Sequence, residues 1–482
     1  MGGLALLPRS RAVNGRLRAT AAALTLGFSA SFGLSFGQGV AYADRPPPID
    51  MGKLPAGDPA VPPDPTEPKP NVACADIQRG GDGPTIPQPQ RALDLPHAWK
   101  FATGVGQLVA VIDTGVSPHP RLPGLIPGGD YVQAGGDGLQ DCDVHGTLVA
   151  GLIAATRVPD QGFSGVAPDA RIMSIRQTSD KFTVKGRSRE ERPEDLPGYG
   201  SIDALASAVR RAADRGASVI NISLVSCVPG SYQLPDQALG AALRYATVEK
   251  NVVVVAAAGN MDQTSKCQAG NPDVSPLDPS ADLWNKLTTN VTPARFDDYV
   301  LTVGSIGPNG HPSDFTVPGP WVDIAAPGEG IVSLDPTSSG TITGKGDQGK
   351  VSSLQGTSFA APYVSGVVAL VRQRFPHLSA QEVMKRLKAT AHAPAEGWNP
   401  YIGYGAVDPV AALTNQVPDT PLQAKQPSPA KSVQLPVPAP PPPPDNLARN
   451  VALIGTGIIG GGLILGYLAS FPIRRRFGVR ED

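Results

Sequence analysis

Gly356-Thr357-Ser358-Phe359-Ala360-Ala361-Pro362 sets a serine at the head of an apolar run that continues to Phe375. Three upstream segments answer it in order: Asp113-Thr114-Gly115, His145-Gly146-Thr147 and Ala258-Gly259-Asn260. A serine hydroxyl is a poor nucleophile until a base takes its proton, and a neutral imidazole such as His145 can do so at physiological pH. Asp113 would orient that imidazole and stabilise its cation. Attack on a peptide carbonyl leaves negative charge on oxygen, for which the Ser358 backbone amide and the Asn260 side-chain amide are suitable donors. A helix starting at Ser358 adds the favourable field of its N-terminus. Each segment alone has an ordinary reading: a strand-to-turn exit at Asp113, a structural or metal-bound histidine at 145, a turn pair at Gly259-Asn260, a helix cap at Ser358. Four roles converging on one site favour catalysis.

Around these segments, residues 108–112, 219–223, 252–256 and 300–303 are short β-branched runs, the pattern of strands buried on both faces. Residues 201–215 and 237–250 lie between them with helical spacing of Ala, Leu and Val. This alternation predicts an α/β fold with a mostly parallel sheet covered by helices on both sides. In such sheets chemistry gathers beyond the carboxyl ends of the strands. The motifs fall there, with Asp113 and Asn260 closing strands and Gly146 and Pro362 opening helices.

At 482 residues and 41% hydrophobic content the chain can bury a large core, but 52 prolines and 55 glycines exceed what one compact domain uses. Much of the proline is therefore expected outside the core. Forty-one Lys+Arg against 42 Asp+Glu leave a net charge of -1, so no electrostatic case exists for a nucleic-acid partner. Cys74, Cys142, Cys227 and Cys267 are spaced too widely for a zinc ribbon and suit two disulfides in an oxidising compartment.

Both ends of the chain point to that compartment. Residues 1–43 carry Arg9, Arg11, Arg16 and Arg18, an uncharged stretch over 19–41 and Ala41-Tyr42-Ala43 as a small-x-small cleavage site, which reads as a secretory signal peptide. Residues 451–471 are uncharged and, as a helix, would reach about 30 Å, the thickness of the hydrocarbon core. Arg474, Arg475, Arg476 and Arg480 beyond them place a basic tail, 472–482, in the cytoplasm. Everything between the two ends is then extracytoplasmic. Gly457 with Gly461, and Gly462 with Gly466, give spacings that suit close approach of another helix, although glycine is common in membrane helices. Residues 417–445, ending in Pro440 to Pro444, read as a semi-rigid spacer of up to about 90 Å.

The aspartate, histidine, serine order is that of subtilisin, and the chain resembles the subtilisin-like serine proteases over roughly residues 92–412. Within them its layout is most similar to the mycosins, membrane-anchored proteases associated with type VII secretion in mycobacteria and related actinobacteria. The layout consists of signal peptide, N-terminal extension, four cysteines, proline-rich spacer, one C-terminal helix and a short basic tail. The resemblance implies a subtilisin-like three-layer fold with a peptidase domain over 92–416, protein or peptide substrates, no cofactor and a type VII secretion membrane complex as partner. It makes Asp113, His145 and Ser358 the triad and has Asn260 complete the oxyanion hole with Ser358. It implies that the extension, 44–91, is retained and wraps the catalytic domain, and that Cys74 pairs with Cys142 and Cys227 with Cys267. Sequence alone leaves three pairings of four cysteines open.

Ser223-Leu224-Val225 resembles the subtilisin segment beside which substrate backbone adds as a strand; simple continuation of the buried strand is the alternative. Val225 departs from the usual Ser-Leu-Gly and leaves the width of the first specificity pocket open. Two insertions, 177–200 and 261–295, read as access control or partner contact, or as solvated loops. Neither has a calcium-loop pattern, so no required metal is expected. The function expected is serine endopeptidase; the alternative is a structural subunit that stabilises a secretion membrane complex, with proteolysis secondary.

Overall fold

Alternate residues of each central strand bury on opposite faces of one sheet, and this sets the architecture. The computed structural model describes residues 45–477 apart from 187–199, 231, 233, 262–266, 268, 276–277, 279–280, 423–424 and 426–444. The expected signal peptide, the charged part of the first insertion, most of the proline-rich spacer and the end of the basic tail lie outside the described residues. The strands are, in chain order, β1 (Thr66–Pro68), β2 (Asp76–Arg79), β3 (Leu108–Asp113), β4 (Ile126–Asp130), β5 (Arg171–Arg176), β6 (Phe182–Val184), β7 (Val219–Ile222), β8 (Ser226–Pro229), β9 (Val253–Ala257), β10 (Thr289–Thr292), β11 (Val300–Ile306), β12 (Val322–Pro327), β13 (Ser333–Leu334), β14 (Thr341–Asp347) and β15 (Lys350–Ser353). Seven of them form a sheet in the order β12-β11-β9-β7-β3-β5-β4, with every neighbouring pair parallel.

Val109 and Val111 of β3, Val253 and Val255 of β9 and Leu301 and Val303 of β11 join a core beneath helices His145–Ala154, Thr357–Arg374 and Ala380–Ala389. Ala110, Ile112, Val254 and Ala256 face the other way, onto helices Ile202–Asp214 and Gln237–Arg244. The result is the three-layer α/β arrangement of the subtilisin type. Of these seven, β3 comes first in the chain; β5 and β4 lie on one side of it and β7, β9, β11 and β12 on the other. The crevice at such a reversal of strand order, outside the carboxyl ends, is where open α/β sheets hold their ligands. Asp113 is the last residue of β3.

Described residues up to 274 and 282–425 form one unit, and 275–281 with the residues from 426 onward form a second. Within the first unit the segment before residue 92 lies along the body. β1 pairs antiparallel with β6, β2 pairs antiparallel with β14, and Arg79 Nε donates to Asp335 Oδ2 at 2.7 Å. In the second unit one helix runs Leu447–Arg476, with a mean hydropathy of 1.9 over its apolar window, long and apolar enough to cross a membrane. Its Thr456 and Ser470 hydroxyls donate to the Ala452 and Tyr467 carbonyls, so those polar groups are satisfied within the helix.

Candidate active site

The His145 side is built by stitching a helix N-terminus to the end of β3. Asp113 Oδ1 accepts from Thr114 N at 2.8 Å and lies 2.7 Å from His145 Nδ1. The first amides of helix His145–Ala154 have no partners within the helix. Gly146 N donates to Thr114 Oγ1 at 2.9 Å and Thr147 N to Asp141 Oδ2 at 2.8 Å. Asp141 also accepts from the Thr114 and Thr147 hydroxyls, at 2.8 and 2.7 Å, and so ties the segment after Asp113 to the segment after His145. Burial pushes the Asp141 carboxyl up to about 6, against the Thr147 and Thr114 hydrogen bonds that lower it; Asp113 nearby adds to the rise. Gly146 is required by close approach: a Cβ there would lie 2.0 Å from the Gly115 carbonyl oxygen.

The Ser358 side is set by helix Thr357–Arg374. Gly356 before it has φ 148, and a Cβ on it would come within 3.2 Å of both Asn260 Nδ2 and Ser358 Oγ. Those two groups therefore share one small space, left open by the glycine. Asn260 Oδ1 accepts from Thr357 N at 2.8 Å and Thr357 Oγ1 at 3.0 Å, which fixes the orientation of the amide. Ser358 Oγ lies 3.0 Å from His145 Nε2, and the Phe359 ring sits 5.2 Å, centroid to centroid, from the imidazole. Asp113 is fully buried, whereas the His145 side chain retains 14% exposure, so the chain of contacts runs from a dry carboxylate to a partly exposed imidazole. This arrangement can pass a proton from Ser358 to His145 while Asp113 holds the far nitrogen.

Residues 104–405 match the family model described as the subtilase family. Mycosin-4 of Mycobacterium tuberculosis is 45% identical over 426 residues, spanning 88% of this chain and 90% of that one. The chain belongs to the mycosins, within the subtilase family. Mycosin-1 of Mycolicibacterium smegmatis is also 45% identical, over 80% of this chain and 85% of its own. Among solved structures, the crystal structure of MycP1 from the ESX-1 type VII secretion system superposes with a TM-score of 0.72 at 44% identity, covering 79% of this chain and 98% of that one. A chain of the intact ESX-5 inner membrane complex gives 0.73 at 44% identity, covering 88% and 99%. The chain is a subtilisin-like serine endopeptidase anchored in the membrane by helix Leu447–Arg476.

The structure brings Asp113, His145, Ser358 and Asn260 of this mycosin together, and treats the expected substrate segment differently. β7 ends at Ile222, so Ser223-Leu224-Val225 is not a continuation of the strand. The Ser223 side chain is turned inward, donating to the Ser358 carbonyl at 2.8 Å, which leaves only the backbone of this segment and Leu224 and Val225 to meet a peptide. Cys74 bonds to Cys142 and Cys227 to Cys267. Asp141 and Thr357 were not singled out from sequence as functional, although Asp141 immediately precedes a cysteine and stands four residues before His145. A carboxylate shortly before a helix start, where unpaired amides seek acceptors, was the available signal.

Proposed function

We propose that Asp113, His145 and Ser358 act as a catalytic triad that cleaves protein or peptide substrates on the extracytoplasmic side of the membrane, in association with a type VII secretion membrane complex. The contact that carries this reading is His145 Nε2 to Ser358 Oγ at 3.0 Å. As Ser358 Oγ attacks the carbonyl carbon, its proton passes to Nε2, and Asp113 Oδ1 accepts from Nδ1–H and stabilises the imidazolium. The developing oxyanion takes hydrogen bonds from Asn260 Nδ2 and the Ser358 amide. His145 then protonates the leaving amine, and water resolves the acyl-enzyme by the same route. A peptide lying along Leu224 and Val225 would present its carbonyl to Ser358. Residues 1–43 act as signal peptide and Arg474 to Arg476 hold the C-terminus in the cytoplasm.

Association with secretion is supported by relatives whose structures are named for the ESX-1 and ESX-5 systems. Presence of one relative in an intact inner membrane complex also favours a second, compatible reading, in which the protein stabilises such a complex. Comparing Ser358→Ala with deletion of 447–476 in the producing cell separates the two. Secretion that survives the first change and fails with the second indicates a scaffold. Loss of substrate processing with Ser358→Ala indicates the endopeptidase, and processing retained in that variant overturns the triad.

A further inference from the structure

In an α-helix the carbonyl of residue i accepts from the amide of residue i+4. For Ser358 that residue is Pro362, inside helix Thr357–Arg374, and proline has no N–H to give. The carbonyl of the nucleophile itself is thus deprived of its ordinary partner. Ser223 Oγ, 2.8 Å away and on another segment, donates to it. The serine hydroxyl has one proton, and its direction is fixed because Asn221 Nδ2 donates to the same Oγ at 2.8 Å. Asn221 Oδ1 in turn accepts from Ser365 Oγ at 2.8 Å. Ser358 and Ser365 stand seven residues apart on one helix, so they share a face two turns apart. The contacts close a ring from the end of β7, through Ser223, to the Ser358 carbonyl, along the helix to Ser365, and back to Asn221. All four residues are buried, Asn221 and Ser365 completely.

We propose that Ser223 is a positioning residue for the nucleophile, carrying through its hydroxyl the helical hydrogen bond that Pro362 cannot make. The inference rests on Ser358 being the nucleophile. It adds that one residue sets the height of the Ser358 peptide against β7 and also begins the segment expected to meet substrate, so nucleophile and bound peptide take their positions from the same point. Ser358 and its amide donor are then located by a contact at their own carbonyl rather than by helix geometry alone.

The test uses the full-length protein in detergent and a fluorophosphonate probe, in whose reaction Ser358 Oγ bonds to phosphorus and fluoride leaves. The rate at saturating probe and the probe concentration giving half that rate are read separately. Loss of one buried hydrogen bond corresponds to roughly a three- to tenfold loss. Ser223→Ala is expected to lower the saturating rate by that factor with half-saturation unchanged, and Ser223→Thr, which keeps the hydroxyl, to restore it. Pro362→Ala returns an N–H to the helix, so the double variant Ser223→Ala with Pro362→Ala is expected to react faster than Ser223→Ala alone, a rescue that a general packing defect would not give. A folded Ser223→Ala protein that labels at the wild-type rate overturns the proposal, as does a double variant slower than either single one. If Ser223→Ala does not fold, Ser365→Ala at the far end of the ring decides: a two- to threefold slower rate supports it, and an unchanged rate overturns it. Absence of labelling in the folded wild type overturns the catalytic reading of Ser358, and this inference with it.

Discussion

At the scale of single residues, the proposed site is a set of donors and acceptors held by hydrogen bonds to one another and to their neighbours. Asn260 Oδ1 is occupied by Thr357, so its NH₂ is committed to the space beside Ser358 Oγ. Asn260→Ala is expected to lower kcat about 10²–10³-fold with little change in KM, because the donor acts on charge present only in the transition state; kinetics on any cleavable peptide checks this. Asp141 gives a pH signature. Its folded-state pKa of about 6 lies above the ordinary carboxylate range, so the folded protein binds an extra proton between roughly pH 4 and 6. Stability from this group falls as pH rises through that window, and Asp141→Asn should flatten that part of the melting-temperature profile. The same variant offers an amide NH₂ where Thr147 and Thr114 require acceptors, and is expected to slow turnover about tenfold. The residues proposed to react were legible as a set in sequence because their types and order are specific. Asp141 and Thr357 were not, and Ser223 was read only as part of the substrate segment, because each acts through a partner 27 to 135 residues from it.

Among the elements, the disulfides and insertions tell a similar story. Cys142 adjoins Asp141, so the Cys74–Cys142 bridge fastens the N-terminal segment to the loop that ties the segment after Asp113 to the helix of His145. Replacing both cysteines by serine, across a separation of 68 residues, is expected to cost about 2–5 kcal/mol of stability and to lower activity; losing Cys227–Cys267 should cost stability while sparing the Asp113–His145 contact. Chemical denaturation with parallel rate measurements distinguishes them. The parallel strands were readable from their β-branched runs. The helix expected over 237–250 ends at Arg244 and continues as a π turn over Tyr245–Glu249, because Lys250 N reaches back to the Tyr245 carbonyl; the side-chain pattern is the same for both. Part of the polar insertion 261–295 is core. Trp284 packs edge-on against Trp321 at 5.6 Å, and β10 pairs with β8. A few apolar anchors among many polar residues leave no periodicity to read.

For the molecule as a whole, the body runs further than its composition suggests. Sequence put its end at 416, where the proline-rich stretch begins, yet Lys425 Nζ contacts the Asp297 carboxylate and lies 3.1 Å from Asp323, which also meets Lys388 at 3.1 Å. Burial pushes Asp297 up to about 6, Lys425 opposes that rise and Asp323 adds to it, so the two carboxylates depend on both lysines. A chain ending at 416 leaves this buried pair short of one cation. It is expected to be about 3–5 kcal/mol less stable than one ending at 425, as measured by urea unfolding; equal stability would show that Lys425 contributes nothing. A lysine in a proline-rich stretch carries no sequence mark of partners more than 100 residues away. The apolar centre of the membrane helix, by contrast, was fully legible over 451–471, and the observed helix extends it to Leu447–Arg476.

The most direct test of the central claim is fluorophosphonate labelling of the purified protein beside Ser358→Ala and His145→Ala. The proposed triad requires that wild type is labelled, that Ser358→Ala is not, and that His145→Ala is labelled at least 10³-fold more slowly, removal of a triad base costing roughly 10⁶-fold in turnover. Equal labelling of wild type and His145→Ala, or a label that remains in Ser358→Ala, would contradict it.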